Sequence, residues 1–175
     1  MPPPARRDFR VALVGCGRSS QNHFDSVKQI DGLSFTAVCD IVESRAKSAG
    51  EQLGVPWFTD YDRMLREADC DVVVIATPSG LHPQHGILAA KAGKHVISEK
   101  PMAITLASAD ALVHACDEAK VQLFVVKQNR LNPPIQLLRK AIEKGRFGRL
   151  YLANTTVRWE RPREYYDQAT WRCQG

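Results

Sequence analysis

An apolar run that stops in a glycine turn, and is answered by an acid about 20 residues after that turn, permits few folds. Phe9 to Ser20 reads FRVALVGCGRSS, and the next apolar run, FTAVCD, ends on Asp40. A strand entering a glycine turn and then a helix leaves backbone N–H groups at the positive end of the helix dipole, where a pyrophosphate can sit. Gly15 is expected to make the tight turn, Gly17 to let the pyrophosphate approach the backbone, and the small Ser20 to let helix and strand pack closely. Ser20 stands where Gly or Ala is commonest. Asp40 is placed to accept hydrogen bonds from adenosine ribose hydroxyls. Its carboxylate would repel a 2′-phosphate, so the pattern favours NAD over NADP, with Arg45 and Lys47 nearby as the counterweight. A glycine turn serving only chain reversal is the plain alternative, and the ordered succession of strand, turn, helix, strand and acid argues against it.

The same alternation continues down the chain. Phe24, Val27 and Ile30 share a helical spacing up to Asp31-Gly32; a second helix over 42–53 is closed by Gly54; Val55 to Phe58 makes a short third strand; Thr59 or Asp60 caps a third helix, which runs to Arg66. The run VVVIA over 72–76 is expected as a central strand covered on both faces. Pro83 opens a helix to Ala92, His95 to Ser98 makes a strand, Thr105 begins a helix to Lys120, and 123–126 is a sixth strand. Strands and helices in strict alternation predict an α/β fold, a Rossmann doubly wound parallel sheet over 1–126. Over 127–175 the pattern changes. Pro133-Pro134 starts a helix with Ile135, Leu138 and Ile142 on one face, and Leu150 to Trp159 alternates like an antiparallel strand. That stretch reads as the start of an incomplete α+β substrate domain.

Composition enters only to exclude. With 44% hydrophobic and 25% charged residues over 175 positions, the chain suits one soluble globular core. No apolar run reaches membrane-spanning length and the opening MPPPARRD lacks a signal-peptide core, so no membrane partner and a cytoplasmic location are expected. Cys16, Cys39, Cys70, Cys116 and Cys173 show no CxxC pairing, which predicts reduced thiols and no metal site. The net charge of +5 is carried late in the sequence, by residues such as Arg139, Arg146, Arg158 and Arg163. No nucleic-acid motif accompanies it, so a solvated face or an anionic substrate explains the excess.

In an open parallel sheet a ligand sits beyond the carboxyl ends of the strands, so the residues just after strands are the candidates. These are the turn from Gly15 through Arg18 and Ser19 to Ser20, the stretch Thr77-Pro78-Ser79-Gly80-Leu81-His82, the tripeptide Glu99-Lys100-Pro101, and Lys127-Gln128-Asn129-Arg130. A partly buried lysine between cofactor and substrate can hydrogen-bond a reacting hydroxyl and lower its pKa as hydride leaves. From the residues alone, that role for Lys100 and a surface lysine paired with Glu99 stand even.

The set GCGRSS, AVCD, ATPSGLH and ISEKPM, with the helix-to-strand hand-over at 144–150, resembles the Gfo/Idh/MocA oxidoreductase family across nearly the whole chain. The resemblance implies a Rossmann domain followed by a domain on a large open sheet, tightly held NAD(P), and oxidation of a sugar or cyclitol hydroxyl by a dimer or tetramer. Carried over by motif, Lys100 is the catalytic lysine, Pro78 lies against the cofactor, His82 near its nicotinamide or ribose, and Glu99 and Gln128 beside it. The stretches KQNR, NPP and VRWERPREYYDQATWR are similar to the UDP-N-acetylglucosaminuronate 3-dehydrogenases of bacterial surface-polysaccharide synthesis. Such a nucleotide-sugar substrate carries a diphosphate and a carboxylate, which guanidinium groups bind bidentately. This resemblance makes Asn129, Arg130, Arg158, Tyr165 and Tyr166 the candidates for substrate contact.

Members of that family continue beyond a Trp-Arg pair, corresponding to Trp171-Arg172, to a histidine that handles the substrate proton; here the text turns to Cys173-Gln174-Gly175. A truncated dehydrogenase is therefore expected. His23, His95 and His114 read as ordinary helix or strand residues. A binding module without turnover, and a family enzyme acting on an inositol or another sugar, are the rival readings.

Overall fold

The run Val72–Ile75 forms the strand β4, with all four residues buried, at the middle of the sheet. The structure is a computed structural model that describes residues 8–167; Trp171, Arg172 and Cys173 lie outside the described residues. It divides into two compact units, Met1–Val126 and Lys127–Gly175.

In the first unit, β1 (Phe9–Val14), β2 (Leu33–Cys39), β3 (Trp57–Phe58), β4, β5 (His95–Ser98) and β6 (Leu123–Val125) make one sheet in the order β3-β2-β1-β4-β5-β6, parallel throughout. The connecting helices are α1 (Ser20–Lys28), α2 (Glu43–Leu53), α3 (Tyr61–Glu67), α4 (His82–Lys91) and α5 (Leu106–Glu118). This is the predicted Rossmann sheet. Strand order reverses between β1 and β4, and that reversal opens a crevice at their carboxyl ends.

Side chains alternate across the pleat, so each strand feeds two cores. Ala12, Val14, Val73 and Ile75 pack with Met64, Ala89, Ala90, Leu112 and Cys116 on the face covered by α3, α4 and α5. Val11, Leu13, Val38 and Val74 pack with Phe24 of α1 and Ala49 of α2 on the other. Each buried Val or Ile contributes about 1.5–3 kcal/mol, which explains why β4 has no polar position. Caps fix where the helices begin: the Asp60 carboxylate accepts from the Arg63 N–H at 2.8 Å and Thr105 Oγ1 from the Ser108 N–H at 3.2 Å. At the opposite end of the sheet from the crevice, Arg10 on β1 grips Asp71 with Nε and Nη2 at 3.0 and 2.9 Å.

The second unit holds a short 3₁₀ turn over Gln128–Leu131, helix α6 (Pro133–Glu143) and helix α7 (Arg163–Asp167). Ile135, Leu138 and Ile142 do share a face of α6, and all three remain exposed. The antiparallel strand expected over Leu150 to Trp159 is not formed. All ten residues are exposed and none is in a sheet ladder. A strand is defined by the neighbour that takes up its backbone hydrogen bonds, and none of the described residues supplies that neighbour.

Among the described residues no helix is long and apolar enough to cross a membrane. Cys16, Cys39, Cys70 and Cys116 are free thiols. Burial, with the charge of Asp40 added, pushes Cys16 and Cys39 up to about 12, so both stay protonated near neutrality.

Candidate functional site

The turn after β1 fits against β4 with no room for a side chain. Gly15 has φ +94°, and a Cβ there would lie 2.6 Å from the carbonyl of Ala76 and 2.7 Å from the Thr77 nitrogen. Its N–H donates to the Cys39 carbonyl at 2.8 Å, holding the turn to the end of β2. Gly17 is the opposite case: a Cβ there would meet nothing within 4 Å, so this glycine leaves open space above the backbone. Ser20 is buried, and both its backbone N–H and its hydroxyl donate to the Gly17 carbonyl. That pair of hydrogen bonds fixes how α1 leaves the turn. No acidic residue occupies the first turn of α1, so the positive end of its dipole is uncompensated.

Asp40 follows β2 and is 7% exposed. Its Oδ2 accepts from the Cys16 N–H and its Oδ1 from the Val42 N–H, both at 2.8 Å. A carboxylate has about four acceptor positions, so two remain for ribose hydroxyls. Between the turn and α2 runs a groove of about 450 Å³ lined by Gly17, Arg18, Gln21, Ser44, Arg45 and Ser48, among others. Open space at Gly17, an uncompensated helix N-terminus, two guanidinium groups and a carboxylate with spare acceptors fit a dinucleotide phosphate and its ribose. Ser19, the residue before α1, is exposed at the mouth of the same turn.

At the tip of β4, Thr77 and Pro78 lead into a short 3₁₀ turn over Ser79–Leu81 and then α4. His82 opens α4 and is 1% exposed. Its Nδ1 lies 2.7 Å from the Pro101 carbonyl oxygen and its Nε2 2.7 Å from the Thr77 carbonyl oxygen. Both ring nitrogens are committed to backbone, and the ring acts on the site by clamping the β4 tip to the loop after β5. One turn on, His85 Nδ1 stands 3.0 Å from Thr77 Oγ1, and the Tyr61 hydroxyl donates to the His85 carbonyl at 2.9 Å. Burial, then the neighbouring His82, holds His85 below its ordinary range, and burial raises Tyr61.

Beyond β5, the Glu99 N–H donates to the Ile75 carbonyl at 2.9 Å, which ties this tip to β4. Lys100 is exposed, and the Lys100-Pro101 bond is cis. Glu99 Oε1 lies 2.9 Å from Nε2 of His23 on α1, and its Oε2 accepts the Lys100 N–H at 3.2 Å. The hydrogen bond from His23, ahead of the opposing burial, holds the Glu99 carboxyl below the usual carboxylate range. His23, which the sequence read as an ordinary helix residue, thus contacts the residue that precedes the candidate lysine. Its position three residues into the helix after the glycine turn was the available signal.

Links that join the carboxyl ends of β1, β2, β4 and β5 thus include Gly15 to Cys39, Cys16 to Asp40, Glu99 to Ile75, His82 between Thr77 and Pro101, and His23 to Glu99. Gln128, Asn129, Arg130, Arg158, Tyr165 and Tyr166 belong to the second unit. There the first three lie on the 3₁₀ turn, exposed, and Arg158 on the exposed extended stretch. Tyr165 and Tyr166 pack edge to face with centroids 5.3 Å apart on α7, and the Arg161 guanidinium lies 5.0 Å from the rings of both Trp159 and Tyr165.

Comparison with known proteins identifies the family. Residues 9–127 match the GFO_IDH_MocA oxidoreductase family, described by its NAD-binding Rossmann fold. The chain is similar to the WlbA dehydrogenase of Bordetella pertussis, solved in complex with NADH and UDP-GlcNAcA, at 48% identity and a TM-score of 0.92 over 95% of this chain and 51% of that one. The WlbA dehydrogenase of Chromobacterium violaceum, solved with the same pair of ligands, is similar at 47% identity and a TM-score of 0.92, covering 98% of this chain and 50% of that one. Among curated relatives, D-apiose dehydrogenase of Paraburkholderia graminis is 38% identical over 86% of this chain and 40% of its own length. The chain thus spans about half the length of the proteins it matches.

Proposed function

This chain belongs to the Gfo/Idh/MocA family of NAD-binding oxidoreductases, and from that premise we propose that it carries the cofactor half, and the reacting lysine, of an enzyme oxidising the C3 hydroxyl of a UDP-linked N-acetyl amino uronic acid. The observation that carries the reading is the likeness, at 48% identity over 95% of the chain, to a dehydrogenase holding NADH and UDP-GlcNAcA.

The residues divide the work by position. Gly15, Gly17, Arg18, Ser19 and Ser20 take the pyrophosphate at the N-terminus of α1, and Asp40 takes the adenosine ribose. We assign Thr77, Pro78, Glu99 and Gln128 to the nicotinamide end. When bound, NAD supplies the hydride acceptor. The Lys100 ammonium donates a hydrogen bond to the reacting hydroxyl and stabilises the charge that builds on its oxygen as the carbon gives up hydride. Asn129, Arg130, Arg158, Tyr165 and Tyr166 hold the sugar nucleotide, with guanidinium groups on its diphosphate and carboxylate.

One observation favours a second reading for the chain acting alone. The hydroxyl proton needs an acceptor, yet His23, His82, His85 and His95 are all engaged in hydrogen bonds within the first unit, and His114 lies on α5. By itself the chain then binds NAD without turnover.

Calorimetry with NAD, paired with NADH absorbance on UDP-N-acetylglucosaminuronate, separates the readings. Turnover that requires the uridine diphosphate and falls 10²–10⁴-fold in Lys100→Ala, with NAD affinity kept, is expected of the enzyme. NAD binding without turnover supports the second reading. Equal activity on a free inositol removes the nucleotide-sugar assignment.

A further inference from the structure

Glu99 immediately precedes Lys100, and an exposed carboxylate beside an ammonium would ordinarily pair with it. The structure shows a different arrangement. The Glu99 side chain is 14% exposed and faces His23, itself 15% exposed, at 2.9 Å. None of the described residues forms an ion pair with the Lys100 ammonium. Ser98 Oγ donates to the Glu99 carbonyl at 3.0 Å, and the Glu99 N–H bonds to β4, so the backbone that carries the carboxylate is fixed on both sides.

The geometry points to His23 as a positioning residue: by holding Glu99 against α1, it keeps that carboxylate off Lys100 and leaves the ammonium for the substrate hydroxyl. This rests on the role proposed above for Lys100. His23 lies within the first turn of the helix that begins at the dinucleotide turn, so the same helix sets both the phosphate end of the site and the charge next to the lysine. Removing the imidazole leaves the largely buried Glu99 carboxylate without its partner, and the charge of Lys100 already acts on that carboxylate. A pair would then form and draw the ammonium out of place.

The test reads the lysine directly and needs no turnover. Reductive methylation of the full chain, followed by peptide mass spectrometry, gives the labelling rate of Lys100 relative to the other lysines. His23→Leu is expected to lower that ratio about two- to fivefold, the range set by one exposed ion pair. Adding Glu99→Gln to His23→Leu restores it, and His23→Gln, which keeps an N–H donor, leaves it near the parent value. Glu99→Gln alone gives a ratio at or above the parent, an arm that stands even if His23→Leu fails to fold. An unchanged ratio in folded His23→Leu, a loss that Glu99→Gln does not reverse, or a fall in Glu99→Gln alone would overturn the proposal. A normal labelling pattern combined with full turnover in Lys100→Ala would instead overturn the role of Lys100 and leave the His23 contact standing.

Discussion

The backbone N–H of Cys16 donates to Asp40 Oδ2 at 2.8 Å, so the acid that ends β2 braces the glycine turn that ends β1. The same carboxylate caps Val42 through Oδ1. One residue thus serves the fold and the candidate ribose site together. Asp40→Asn places an amide NH₂ against one of the two N–H donors. A hydrogen bond to a charged group is worth about 1.5–3 kcal/mol, so urea unfolding should show a loss in that range. NAD affinity by calorimetry should fall at least tenfold, about 1.4 kcal/mol.

The two glycines of the turn should separate stability from binding. Gly15→Ala would drive a Cβ to 2.6 Å from the Ala76 carbonyl in a backbone with φ +94°. The strained conformation costs about 1–3 kcal/mol before the clash is counted, and a thermal melt should drop accordingly. Gly17→Ala meets nothing within 4 Å. Its melt should stay within about 1 kcal/mol of the parent, the usual cost of a surface substitution, while NAD binding weakens because the methyl fills the approach to the backbone.

His82 tests whether the strand tips are held by one ring. In His82→Phe the Thr77 and Pro101 carbonyls lose their partner across a part-buried contact. Each unsatisfied buried group costs about 1–3 kcal/mol. Amide hydrogen exchange over 99–105 should accelerate more than exchange in β1, and equal acceleration in both would show that the ring does not act on that loop.

His85 gives the chain a pH dependence of defined sign. Its folded pKa is lowered from 6.5 by burial and by His82, so between the two values the unfolded chain binds more protons. Stability is therefore fully present above about pH 6.5 and is lost as pH falls through the folded value. Urea midpoints measured from pH 7.5 to 5 should decline, and His85→Gln should flatten that part of the curve. Glu99, whose folded pKa is also lowered, contributes a further loss only below about 4.5.

The succession of elements in the first unit was legible because it is written locally. The β-branched run over Val72–Ile75, the Asp60 and Thr105 caps and the glycine turn each fix their own neighbourhood, and the ends shift by only a residue or two. The 3₁₀ turn over Ser79–Leu81 carried no such signal. The alternation over Leu150 to Trp159 shows the limit: a period of two offers an apolar face, and without a neighbouring strand among the described residues the backbone forms no ladder.

Sequence by itself determined the alternation of strands and helices, the glycine turn, the acid answering it and the lysine after β5, because spacing and residue type decide turns, helices and strands over short range. Only the tertiary structure decided the partners. His23 meets Glu99 and His82 meets Pro101 because the sheet order brings β5 beside β4 and α1 over the crevice. Contacts between residues so far apart in the chain depend on which strands lie side by side, and no local pattern of residues specifies that.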